Sequence, residues 1–94
     1  MPVIVAVDEE GESLADVERE LTDRYSRSYR IVTASSAGDG IAKLVEMQSS
    51  GEDVALLLVG LSLGPQRWSE LLQRARALHP RAQRGLIIEL AGWG

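Results

Sequence analysis

The sequence predicts an α/β domain built on a parallel sheet with helices on both faces, and three observations predict it. Residues 2–7 and 54–59 are short, uninterrupted apolar runs rich in Val, Leu and Ile, the pattern of strands buried on both faces. Between and after them lie stretches whose apolar residues recur at spacings of three and four, the period of a helix with one buried stripe. The connections are only a few residues long, so successive strands are joined by right-handed crossovers and run parallel. The order is β-α-β-α-β-α-β within one domain, residues 1–94.

Each element has a local cause. The first strand, residues 2–7, ends abruptly at Asp8-Glu9-Glu10-Gly11 and reads as a central strand. Ser13 and Asp16 resemble a capping box with Asp in place of Glu, and Leu14, Val17, Leu21 and Tyr25 then follow at helical spacing, which predicts a helix over 13–26. Its outer face offers two acid-first pairs four apart, Glu20 with Arg24 and Asp23 with Arg27, each worth a few tenths of a kcal/mol. Residues 29–34 form a second strand. Ser35, Ser36 and Gly38 lead into a second helix carrying Ile41, Leu44 and Val45, closed by Ser49-Ser50-Gly51. Residues 54–59 form a third, interior strand. A helix with the stripe Trp68, Leu71, Leu72, Ala75 and Leu78 begins near Pro65 or Gln66 and is stopped by Pro80. The run 86–90 is expected to supply the fourth strand.

Composition removes several classes of function. With no cysteine and a single histidine, His79, disulfide frameworks, thiolate chemistry and a zinc site within the chain are out. No apolar run approaches the roughly 20 residues a bilayer span needs, and the start lacks the basic flank of a secretion signal. A soluble, cytoplasmic protein with no membrane partner is expected. The formal net charge is −4, distributed unevenly: residues 1–30 carry eight acids against four arginines, and residues 61–94 two acids against five arginines. Such asymmetry suits a polar contact surface. Arginines scattered at helical spacing without interleaved aromatics give no footprint for nucleic acid.

In an open parallel sheet the functional crevice lies beyond the carboxyl ends of the strands, which directs attention to Asp8–Glu10, Ala34–Ser36, Gly60–Leu63 and Ile88–Leu90. The acids after the first strand could hold a hard cation such as Mg²⁺, or could form a solvated turn that favours the positive end of the following helix. Ser35 and Ser36 read as helix-capping groups, since no base is placed to activate them. His79, beside Pro80, reads as a cation-compatible cap at the negative end of the third helix. Gly38-Asp39-Gly40 lacks the context of a phosphate-cradling loop. Trp68 reads as core, whereas Trp93, between glycines, is a contact candidate.

The residues quoted so far resemble the receiver domains of two-component response regulators. Val3-Ile4-Val5-Ala6-Val7-Asp8-Glu9-Glu10 is similar to the receiver's first strand and acidic turn. Val54-Ala55-Leu56-Leu57-Leu58-Val59 is similar to its third strand, and Leu86-Ile87-Ile88 to its fourth. The segments Glu18-Arg19-Glu20-Leu21, Tyr29-Arg30-Ile31-Val32 and Arg74-Ala75-Arg76-Ala77-Leu78-His79-Pro80 resemble receivers fused ahead of larger regulatory or thioredoxin-reductase-like domains. The resemblance covers nearly the whole chain. It implies a flavodoxin-like topology with strand order 2-1-3-4, truncated after the fourth strand, since a complete receiver has five strands and five helices.

The departures from the family bear on chemistry. The position matching the phosphoacceptor aspartate is Gly60, and without a carboxylate there is no aspartyl phosphate. The switch hydroxyl position falls on Ile88, or on Glu89 if the strand is read one residue later, and neither carries a hydroxyl. The family lysine of the fifth strand has no counterpart, and the only lysine, Lys43, lies on the second helix. Asp8 and Glu9 match the Mg²⁺-holding acids but lack the third ligand, so weak Mg²⁺ binding or none is expected, with no other cofactor. These departures imply a catalytically silent pseudo-receiver that signals through protein contacts and is not an enzyme. The alternative is a phosphorylatable receiver in a phosphorelay that uses Asp8 or Glu89 as acceptor. A hydrolase or nucleotide-binding fragment is disfavoured because no set of base, nucleophile and oxyanion donors can be assembled. The fourth strand would be a bare edge, and the sheet face beside the first helix would be partly uncovered. A homodimer or a downstream protein domain is therefore expected at Leu86, Ile88, Leu90 and Trp93.

Overall fold

A computed structural model describes residues 2–60 and 63–87. Four strands and three helices alternate: β1 (Val3–Val7), α1 (Gly11–Tyr25), β2 (Arg30–Ala34), α2 (Ala37–Ser49), β3 (Val54–Gly60), α3 (Pro65–Leu78) and β4 (Gln83–Ile87). All three strand pairings are parallel, in the order β2-β1-β3-β4. None of the described helices is long and apolar enough to cross a membrane.

The two faces of β1 divide the core. Val3, Val5 and Val7 face α2 and α3 together with Val54, Leu57, Val59, Leu44, Met47, Leu71 and Ala75. Ile4 and Ala6 face α1, with Val17, Leu21 and Leu58. Every residue of β1 is buried, which is why this strand reads as an unbroken apolar run. On β3 the alternation is interrupted. Val3 pairs with Val54 and Ile4 with Leu56, so the register skips Ala55, and Val54 and Leu57, three apart, share one face.

The fourth strand corrects the expectation of 86–90: it runs from Gln83 to Ile87, three residues earlier than the apolar run. Among the described residues it is an edge strand, paired with β3 from Leu56↔Gln83 to Gly60↔Ile87. An edge tolerates Gln, Arg and Gly, and a reading that seeks apolar runs passes over them. Ile88, Glu89, Leu90 and Trp93 lie outside the described residues. Beside α1 lies a hollow lined by Ile4, Tyr25, Tyr29, Ala55 and Leu56. Leu58, farther along the same face, is buried. Tyr25 and Tyr29 meet edge to face at 6.1 Å on its rim.

Helix starts and stops follow capping chemistry, with one correction. α1 begins at Gly11, capped by Glu10 whose carboxylate accepts the Ser13 amide at 3.3 Å, so Ser13 lies inside the first turn and is not the cap. The Glu20–Arg24 pair forms at 3.4 Å. Among the described residues no Asp23–Arg27 pair accompanies it, because α1 ends at Tyr25, before Arg27. α2 has the expected cap, Ser36, whose Oγ accepts the Asp39 amide at 3.0 Å. α3 starts at Pro65 and ends at Leu78, before Pro80. Trp68 packs partly buried against the α2/α3 side of the core.

His79 is the C-cap of α3, as expected, its backbone N–H donating to the Ala75 carbonyl at 2.7 Å, and its ring is buried, 8% exposed. Its Nε2 lies 2.8 Å from the Leu44 carbonyl oxygen in α2. A carbonyl only accepts, so Nε2 carries the proton and donates. The bond ties the end of α3 to the middle of α2 across 35 residues of chain. His79→Ala is expected to cost about 1–3 kcal/mol, by loss of this bond and of the buried ring. Urea denaturation would measure it, and a loss below about 0.5 kcal/mol would contradict the assigned bond.

Candidate functional site

The carboxyl edge of the sheet is where β1, β2 and β3 deliver Asp8, Ser35 and Gly60. Asp8 continues the β1–β2 ladder by one step, its amide donating to the Ala34 carbonyl at 3.1 Å. It is the one carboxylate residue among the buried polar residues described, 3% exposed. Its Oδ1 accepts the Glu10 amide at 3.0 Å. This local ring turns the chain out of β1 and sets the entry to α1.

Across the β1–β3 pair, Gly60 lies one step beyond the Val7↔Val59 partners. A β-carbon at position 60 would stand 2.6 Å and 2.7 Å from the two carboxylate oxygens of Asp8, in hard overlap, and it would overlap Cγ as well. The glycine is not needed for backbone conformation, since positive φ occurs only at Gly51 and Gly64 among the described glycines. It is needed for space, and the space is filled by Asp8.

Glu9 points elsewhere. Its Oε1 accepts from Nη1 of Arg67 on α3 at 2.5 Å, an exposed pair spanning 58 residues. Such a pair contributes about 0–1 kcal/mol, and it places a cation directly over the acidic turn. The sequence carries no signal for it: Arg67 is an ordinary residue in the first turn of α3, and only the crossover brings it to β1. Ser36 is engaged as the α2 cap, while Ser35 is exposed. Lys43 is equally illegible in the sequence. Its ammonium donates to the Thr33 carbonyl on edge strand β2 and lies 3.4 Å from Asp39.

Asp8 and Glu9 thus diverge, one carboxylate inward over Gly60 and one outward to Arg67. Among the described residues no group of three or more His, Asp or Glu side chains is placed to hold a metal ion. A hard divalent cation needs several convergent oxygens, and these two engaged carboxylates do not fit it. Gly40, singled out within Gly38-Asp39-Gly40, has a packing role. It is buried in the first turns of α2, where a β-carbon would stand 2.9 Å from Cγ2 of Val7. Of the predicted contact residues, Leu86 lies on β4, while Ile88, Leu90 and Trp93 lie outside the described residues.

The chain was compared with protein-family models, with curated proteins and with solved structures, and none of the three comparisons gave a match.

Proposed function

We propose that this domain is a receiver-like signalling module that acts through protein contacts and takes no phosphoryl group on aspartate. The parallel α/β layering and the acidic turn after β1 support the receiver-like part of the reading. The observation that carries the silent part is at Gly60: the residue at the end of β3 has no carboxylate, and the volume its side chain would need holds the Asp8 carboxylate. An acyl phosphate requires an accessible carboxylate oxygen as nucleophile, and the nearest one, on Asp8, is 3% exposed.

Incubation with acetyl phosphate and Mg²⁺, followed by intact mass measurement, tests this. No gain of a phosphoryl group is expected. A stoichiometric gain that vanishes on replacing Asp8 or Glu89 would overturn the reading in favour of a phosphorelay receiver with a displaced acceptor.

The contact surface we propose is the β4 edge, the outer strand of the sheet on the side opposite β2. An unprotected strand edge is a template for pairing, and a second copy related by a two-fold axis is the simplest partner that satisfies it. Sedimentation velocity over a hundredfold range of concentration should show a monomer–dimer equilibrium. Introducing proline at Leu86, which cannot donate to a strand ladder, should shift it toward monomer. A monomer at all concentrations would remove the self-pairing element.

A further inference from the structure

We infer that Asp8 and Gly60 form a seated latch, in which the carboxylate of the β1 residue occupies the side-chain volume of the β3 residue and thereby sets the start of α1. This inference does not rest on the signalling proposal and would hold for any function of the fold.

Four linked contacts carry it. First, Gly60 leaves open a volume that any other residue would fill, and both Asp8 oxygens lie within 2.7 Å of where its β-carbon would be. Second, the seated carboxylate turns Oδ1 to the Glu10 amide at 3.0 Å, which holds Glu10 in the extended conformation of an N-cap, φ −86° and ψ 109°. Third, Glu10 then receives two amides of the first turn, Ser13 on its carboxylate at 3.3 Å and Leu14 on its carbonyl at 3.0 Å. Fourth, the Asp8 amide donates to Ala34, so the residue is anchored to β2 as well as facing β3. A helix that local sequence would start at Ser13 accordingly starts at Gly11. The cause lies 49 positions along the chain, in the missing side chain at Gly60.

The chemistry of the corner follows. A side chain at position 60 and the inward rotamer of Asp8 exclude each other, because atoms at these separations must move apart. A carboxylate turned outward would leave the Glu10 amide without its acceptor and the first turn of α1 with a weakened cap. Asp8 is therefore a positioning residue for α1, and the glycine at the crest of β3 is its complement.

A double-mutant cycle tests the latch. Gly60→Ala alone is expected to lower the folding equilibrium constant by about ten- to a hundredfold, in the range of overpacking. In the Asp8→Ala background the same change is expected to alter it by less than about threefold, since the new methyl enters vacated space. Equal losses in both backgrounds would overturn the inference. If Gly60→Ala does not fold, the Asp8→Ala/Gly60→Ala chain is expected to fold, and its failure to improve on the single variant would equally overturn it. A second readout separates the latch from general destabilisation. In folded Asp8→Ala, hydrogen exchange at the amides of Glu10, Ser13 and Leu14 should accelerate by at least about tenfold relative to amides of α2. Uniform acceleration across both helices would show that Asp8 does not position α1.

Discussion

Leu57→Ala should cost about 2–5 kcal/mol, the range for truncating a fully buried leucine, while Leu56→Ala next to it should cost clearly less. Leu57 is wholly buried in the middle of β3, within the cluster shared with Leu44, Leu71 and Ala75. Leu56 is half-buried on the opposite face, beside the hollow at Tyr25 and Tyr29. A small domain has only about 5–15 kcal/mol of total stability, so the larger loss is a substantial share of it. Thermal and urea unfolding of the two variants would decide the matter. The result also tests the register: without the irregularity at Ala55, Leu57 and Val54 would fall on opposite faces. A Leu56→Ala loss equal to or greater than that of Leu57→Ala would mean that β3 is turned over.

Two glycines of one helix are expected to respond to alanine with opposite signs. Gly38→Ala should stabilise by up to about 1 kcal/mol, because alanine is the better helix former and nothing lies within 4 Å of the added methyl. Gly40→Ala carries the same gain in propensity but drives its methyl to 2.9 Å from Cγ2 and 3.3 Å from Cγ1 of Val7, with Leu71 at 3.5 Å. Val7 is fully buried and has no free direction in which to retreat. Overpacking of this kind costs about 1–3 kcal/mol and outweighs the propensity gain, so the net change should be a loss. Denaturation midpoints for the two variants, measured together, provide the comparison. Stabilisation by both would show that α2 stands farther from β1 than described.

Much of the layout was legible before any coordinates, and the reason is local. β1 is buried throughout and β3 over most of its length, and each leaves a short apolar run bounded by turn residues, which reads as a strand. Ser36 caps α2 through a hydrogen bond spanning three residues, and Pro65 opens α3 through its own fixed φ. Gly60 could be placed at the end of β3 because the strand before it is legible from its own apolar pattern. What misled was also local. Ser13 and Asp16 form a plausible box, yet the cap is Glu10. The apolar run at 86–90 suggested a strand that the β3 ladder begins at Gln83. His79 beside Pro80 does cap α3, but the turn of its ring inward to α2 had no local signal.

Residue order alone therefore determined the class of fold, the succession of elements and the absence of a carboxylate at the end of β3, because each depends on interactions within a few positions of chain. The tertiary structure decided where Asp8 points, which cation meets Glu9, how His79 joins two helices and which face each residue of β3 presents. Those outcomes depend on residues 27 to 58 positions apart being brought together by parallel crossovers. No local preference encodes such a meeting: the carboxylate of Asp8 is inward because a residue 52 positions later has no β-carbon.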